Sequence, residues 1–139
     1  MKIVTLIENL VYKKELYAEH GLAFYIETEN KKILFDTGQT GMFLQNAKTL
    51  GICIEDIDVL ILSHGHYDHR GGLYPFLPEN SKARVYAKKQ LFTPKYNGRS
   101  RFVGTLCKED LLKKRLIYED EITEMNLFYN RVGVEILLT

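Results

Sequence analysis

The chain has 139 residues, a length that suits one domain spanning residues 1–139, and 45% of them are apolar, enough for a core. Its 19 Lys and Arg against 18 Asp and Glu leave a formal charge of +1, which gives no broad basic field for nucleic acid. No apolar run approaches membrane length and the start of the chain is too short in apolar residues for a signal peptide, so a cytoplasmic protein is expected. Cys53 and Cys107 are isolated, without a Cys-x-x-Cys spacing, and read as reduced thiols that serve packing.

In chain order the pattern is α/β. Lys2–Ile7 alternates β-branched residues and predicts a first strand. Residues 8–21 are polar and irregular, with Tyr12 and Tyr17 among them. Leu22, Phe24 and Ile26 then alternate with Ala23, Tyr25 and Glu27, the period of a half-buried strand. Glu29-Asn30-Lys31 turns the chain into Lys32–Phe35, a hairpin partner that ends on Asp36. Thr40 is placed to cap a helix whose Phe43, Ala47 and Leu50 share one face, and Gly51 ends it. A short apolar stretch, Val59-Leu60-Ile61-Leu62, follows as a buried strand. Further on, Arg84–Ala87 predicts another strand, residues 108–114 a short charged helix, and residues 132–138 a last strand.

The densest chemistry lies directly after the apolar stretch, in Ser63-His64-Gly65-His66-Tyr67-Asp68-His69-Arg70-Gly71-Gly72. Three of the four histidines fall in this run; the fourth is His20. Imidazole and carboxylate at this density suit zinc, manganese or iron, whereas calcium and magnesium take oxygen ligands. His64 and His66, two apart, can project to one side of an extended segment and grip one ion. Asp68 and His69 follow and can face a second. The Gly-Gly pair is expected to permit unusual backbone conformations and close approach to a ligand.

At these residues a resemblance becomes specific. His64-x-His66-x-Asp68-His69 resembles the signature of the metallo-β-lactamase superfamily of metal-dependent hydrolases, and Leu34-Phe35-Asp36-Thr37-Gly38 resembles that superfamily's first motif. Ala18-Glu19-His20-Gly21-Leu22, the Asp36-Thr37-Gly38-Gln39 turn and the His run are similar to one subfamily, whose members are compared with the archaeal aminobenzene ribofuranosyl-phosphate synthase. The resemblance runs from Met1 to about Leu77 and more loosely beyond. It implies half of an αβ/βα sandwich, a mixed β-sheet with flanking helices, in which one sheet face is left without its partner sheet. Such a half is expected to dimerise or to pair with a complementing C-terminal fragment.

The resemblance also implies a chemistry. In the family a water shared by two zinc ions about 3.5–4 Å apart is the nucleophile. Carried onto this chain, His64 and His66 hold the first ion, and Asp68 and His69 the second, with manganese or iron as alternatives to zinc. Asp68 is then the catalytic residue that orients the nucleophile or protonates the leaving group. Asp36 orients a ligand from beneath. The substrate implied is a small molecule with an ester, phosphoester or related bond. Two departures stand out. No histidine occurs after His69, although the family completes its site with later histidines and a bridging Asp. Arg70 stands where many relatives carry a small residue.

Outside the run the residues read more plainly. His20 lies in a polar loop; it is a candidate for substrate binding, and a solvated His is the ordinary alternative. Lys95, Arg99 and Arg101, interleaved with Tyr96 and Phe102, could bind a phosphate but are read as a solvated loop. The functional expectation is therefore a metal-dependent hydrolase, incomplete in these residues alone. The alternative is a non-catalytic descendant that serves as a binding or assembly module.

Overall fold

The computed structural model describes residues 1–104, 109–112, 114–118, 124–126 and 135–137. Chain order runs β1 (Lys2–Ile7), β2 (Ala23–Glu27), β3 (Lys32–Phe35), α1 (Met42–Thr49), β4 (Val59–Ile61), α2 (Tyr67–Arg70), α3 (Leu73–Glu79) and β5 (Arg84–Ala87). A two-residue hairpin, β6 (Tyr96–Asn97) and β7 (Arg101–Phe102), comes next, then β8 (Leu116–Tyr118), β9 (Glu124–Asn126) and β10 (Glu135–Leu137). Six strands form one mixed sheet in the order β1-β2-β3-β4-β5-β8. β1, β2 and β3 are antiparallel neighbours, the first two joined by the loop of residues 8–22 and the last two by a short turn, while β3, β4, β5 and β8 run parallel. Parallel neighbours need crossovers. α1 supplies the first, and α2 with α3 the second.

The main core lies on the helix-bearing face. Leu6, Ala23, Tyr25, Leu34, Leu60, Leu62 and Val85 meet Phe43 and Ala47 of α1 and Leu73 and Phe76 of α3, all buried. The β2 residues that face this core are thus Ala23 and Tyr25, while Phe24 and Ile26 turn to the opposite face. That opposite face corrects an expectation. Ile33 and Ile61 are fully buried within a single copy, Ile26 and Val59 are buried too, and the half-buried Phe24, Phe35 and Tyr86 pack against them. The centre of the second face is therefore not bare, because the middle strands β3 and β4 are screened by aromatic neighbours.

Local chemistry explains the element ends. α1 begins one residue later than a Thr40 cap would give, with Gly41 at the cap position. Thr40 Oγ1 nevertheless accepts a hydrogen bond from the Met42 N–H at 3.2 Å, covering one of the donors a helix start leaves open. Gly51 closes the helix at φ +70°, the left-handed conformation that favours glycine. Cys53 is exposed rather than packed. It sits in extended backbone between buried Ile52 and Ile54, so the alternation of side chains turns it outward, where its Sγ donates to Glu55 Oε2 at 3.0 Å. The charged helix expected at 108–114 is found as one 3-10 turn, Glu109–Leu112. The last expected strand is found over Glu135–Leu137, paired antiparallel with β9. Its remaining residues, 132–134 and 138, and Cys107 lie outside the described residues. Among the described residues, no helix is long and apolar enough to cross a membrane.

Two buried asparagines tie these elements together. Asn46 of α1 donates to the carbonyls of Leu6 and Tyr17, both at 2.7 Å, and accepts from the Tyr17 N–H. Asn80, after α3, donates to the carbonyls of Ile54 and Ile57 and accepts from the Ala83 N–H at 2.7 Å. A buried backbone group that loses its partner costs about 1–3 kcal/mol. Asn80→Ala strands at least three, so we expect a loss of at least about 2 kcal/mol in urea unfolding after partial relaxation. Parent-like stability in that variant would mean that water or a shifted loop replaces the amide.

Candidate metal centre

The carboxyl ends of β3 and β4 lie side by side, and the chemistry-bearing residues follow each: Asp36 after β3, and residues 63–69 after β4. In open α/β sheets this edge is where ligands bind. The Asp36 N–H donates to Ile61 O at 2.8 Å, and Leu62 N–H to Tyr86 O at 3.0 Å, so the strand ladder continues right up to the site. The loop after β4 has little freedom from there on. Thr37 N–H donates to His69 O at 2.8 Å, and Tyr67 N–H to Val103 O at 2.9 Å.

Asp36 is the centre of the arrangement. It is fully buried and adopts φ +56°, a region Asp tolerates better than most residues. Its Oδ1 accepts the Ser63 N–H at 2.8 Å. Its Oδ2 accepts the Ser63 hydroxyl at 2.6 Å and lies 2.8 Å from His69 Nδ1. The Ser63 hydroxyl, spent as a donor on Asp36, is left to accept from His64 Nδ1 at 2.9 Å. The logic of the hydrogen bonds thus places a proton on Nδ1 of both His64 and His69. Nε2 is in each case the nitrogen left for another partner.

The three rings of the run are in contact. His64 lies with its centroid 4.7 Å from that of His66 and 4.1 Å from that of His69. Burial and the neighbouring His69 and His66 push the His64 pKa down, favouring the neutral ring that ligates metals. For His69, burial works in the same direction but is outweighed by the hydrogen bond and charge of Asp36 and the charge of Asp68, and its pKa is raised. His69 Nε2 stands 3.6 Å from Asp68 Oδ2. Among the described residues, no three His, Cys, Asp or Glu side chains already converge as a closed metal cage. The donor types nonetheless suit a cation: two imidazoles with Nδ1 tied by a serine and a carboxylate, and a carboxylate, Asp68, beside His69 Nε2.

Glycines press the loop into place, for a reason different from the one expected. Gly71 and Gly72 have ordinary helical φ, so no unusual backbone conformation calls for them. A Cβ on Gly71 would lie 2.0 Å from Gln39 O, and one on Gly72 2.2 Å from Thr37 O. The pair is needed because the 37–40 turn packs directly on its backbone. Arg70 is buried, with its guanidinium 5.3 Å above the Phe92 ring.

Beside the rings opens a cleft of ≈ 440 Å³ lined by His20, His66, Tyr67, Asp68, Tyr96, Asn97, Arg101 and Val103. His20 is therefore not a solvated loop residue remote from the run; its Nε2 is 3.4 Å from Asp68 Oδ2. Arg101 and Tyr96 are brought in by the β6–β7 hairpin, whereas Lys95 and Arg99 are absent from the cleft wall. Of three supporting residues, Asn9 has no signal in the sequence, while Glu19 and Ser63 stand in the motifs without a role. Asn9 Oδ1 lies 3.2 Å from His20 Nδ1, and Glu19 accepts the N–H groups of Gln39 and Thr40 and the Thr40 hydroxyl. For Ser63, only its place beside a ligating His, with a carboxylate elsewhere, could have suggested the role.

Comparison with known proteins agrees with this geometry. The family model described as Metallo-beta-lactamase superfamily matches residues 16–126. An uncharacterised protein of Methanocaldococcus jannaschii is 43% identical over 116 residues, covering 81% of this chain and 44% of the relative. The 7,8-dihydropterin-6-methyl-4-(beta-D-ribofuranosyl)-aminobenzene-5'-phosphate synthase of the same organism is 38% identical over 125 residues, covering 81% of this chain and 42% of the relative. Among solved structures, Tm1679, a metal-dependent hydrolase of the beta-lactamase superfamily, superposes with a TM-score of 0.70 at 29% identity, covering 92% of this chain and 45% of that one. BJP-1, a subclass B3 metallo-beta-lactamase of Bradyrhizobium japonicum, gives 0.56 at 26% identity, covering 91% and 48%. The chain thus spans somewhat under half the length of the relatives it matches.

The hub can be tested directly. Asp36→Asn keeps the left-handed backbone but turns an acceptor oxygen into an amide, so His69 loses its partner. In ¹⁵N NMR of labelled histidine, the His69 Nδ1–H signal of the parent should disappear into exchange in the variant. An unchanged signal would show that Asp36 does not fix the ring. The fold, the motif after β4 and the family match agree: the chain belongs to the metallo-β-lactamase superfamily.

Proposed function

We propose that these residues carry the imidazole-rich half of a hydrolase site that uses two divalent cations. The observation behind this reading is the shared wiring of His64 and His69, each with Nδ1 tied and its ring in contact with the other. His64 and His66 hold one cation, and Asp68 with His69 the other. Zinc suits these donors best, with manganese or iron as alternatives. When bound, the cations supply Lewis acidity and acidify a water molecule.

The chain's own groups do the rest. Asp36 acts through His69 and Ser63, fixing the rings without touching substrate. Asp68 lines the cleft and orients the attacking water. As the new bond to the carbonyl carbon or phosphorus forms, Asp68 passes the water's proton to the leaving oxygen, so charge and atoms balance. The substrate is a small molecule that fits the cleft, with Arg101 supplying a cation to any anionic group it carries. Four donors serve two cations here, and the sequence holds no histidine after His69. A catalytic zinc takes about three protein ligands. The further donors then come from polypeptide outside these 139 residues or from a second copy. The second reading, a binding or assembly module without turnover, draws on the same shortage of donors.

Elemental analysis tests the assignment. The purified chain should retain zinc, and His66→Ala should lose most of it; equal metal content in the two would end the proposal. With added zinc or manganese, the chain alone should show negligible turnover of a chromogenic phosphodiester or lactone. Turnover should appear once a segment bearing further histidines is added. Robust turnover by the chain alone, lost in Asp68→Ala, would instead place a pooled site between two copies.

A further inference from the structure

We infer that His20, from the loop before β2, is a third ligand of the cation assigned above to Asp68 and His69. The inference rests on that metal reading and adds a donor from outside the His run.

His20 is wired like the two ligands already described. Its Nδ1 lies 3.2 Å from Asn9 Oδ1, an oxygen that also accepts the Gly21 N–H at 3.3 Å. An amide oxygen only accepts, so Nδ1 is the donor here and Nε2 is the nitrogen left to face Asp68. That Nε2 stands 3.4 Å from Asp68 Oδ2, and His69 Nε2 stands 3.6 Å from the same oxygen. Donors that share one tetrahedral zinc, with bonds near 2.0–2.2 Å, are about 3.3–3.6 Å apart. Both separations fall in that range, so each ring is within reach of a cation held by Asp68, although the three side chains do not already converge on one point. The two separations are too long for strong charge-assisted hydrogen bonds, which run at about 2.7–2.9 Å.

The backbone holds His20 at this place. Gly21 adopts φ +139°, and a Cβ there would lie 2.1 Å from Asp68 O. The Leu22 N–H donates to the same carbonyl at 3.3 Å. The loop before β2 is thus pressed against the backbone of Asp68, and the residue just before the glycine is delivered to the Asp68 side chain. A solvated histidine would require none of this contact. Its side chain is 64% exposed, on the cleft side, as a ligand next to an open coordination position would be.

The test is a zinc titration of the 139-residue chain labelled with ¹⁵N-histidine, together with zinc affinities from chelator competition. The His20 Nε2 resonance should shift at the same zinc equivalent as that of His69. His20→Ala should weaken that zinc site by at least about ten-fold, a loss on the scale known for changed metal surroundings. Asn9→Ala, which frees the ring without removing it, should weaken it less. Because the side chain is largely exposed, His20→Ala should unfold at the parent's temperature, separating lost ligation from lost folding. If His69 shifts while His20 does not, or if affinity is unchanged in His20→Ala, His20 forms only an ion pair with Asp68 and the inference falls alone. If no histidine responds and His66→Ala changes nothing, the metal reading itself falls and takes the inference with it.

Discussion

The buried carboxylate of Asp36 is the constraint on which the rest of the site depends. An ionised carboxylate out of water is costly unless its lone pairs are filled. Here two donors from Ser63 and one from His69 fill them, and the backbone N–H of Asp36 is spent on β4. The same bonds that make the charge tolerable fix the exit direction of β4 and the orientation of two imidazoles. Stability and ligand geometry are therefore one interaction. The strained-looking φ of Asp36 is consistent with this, since a left-handed turn brings the carboxylate back over the end of β3 toward the neighbouring strand.

A second constraint is steric. The ligand loop is enclosed by backbone on three sides: Gly21 against Asp68 O, Gly65 against Leu91 O, and Gly71 and Gly72 against the 37–40 turn. Each contact leaves no room for a side chain, so the loop is positioned by packing as well as by hydrogen bonds. A metal site gains from this, because ligands that are already placed lose little freedom when a cation arrives. The acidic side chain of Glu19 extends the same enclosure. By gathering the N–H groups of Gln39 and Thr40, it fixes the turn against which Gly71 packs.

What the sequence made legible was local. The strand at Lys2–Ile7, the strand at Arg84–Ala87 and the apolar run ahead of the histidines follow from periodicity, and the His run announces its own chemistry. The misread features depend on distant partners. Cys53 was assigned to packing on residue type, yet its outward turn follows from flanking Ile52 and Ile54. The need for glycine at 71 and 72 comes from a turn some thirty residues earlier in sequence, which no local pattern shows. Asn46 and Asn80 look like ordinary polar residues until the carbonyls they satisfy, 23 to 40 positions away, are brought beside them. Arg101 reached the cleft only because β6 and β7 pair as a hairpin.

The division of labour in the cleft follows from the same topology. Strand ends of a parallel sheet are stiff, and they carry Asp36, Ser63 and His64. Loops and a small hairpin carry His20, Tyr96, Asn97 and Arg101, which line the open side. Donors on strand ends can keep one geometry while loops change what enters, which lets one fold host different reactions. The relatives illustrate the point, since one is named a synthase and another a metal-dependent hydrolase. His20 sits on the border between the two sets. It is carried by a loop, yet its neighbouring glycine is pressed on the backbone of Asp68, so a loop residue acquires the fixed position otherwise reserved for strand ends. A loop that ligates the cation and also lines the cleft couples the identity of the substrate wall to the metal itself. Changes in that loop should then be felt as changes in metal affinity as well as in what the cleft accepts.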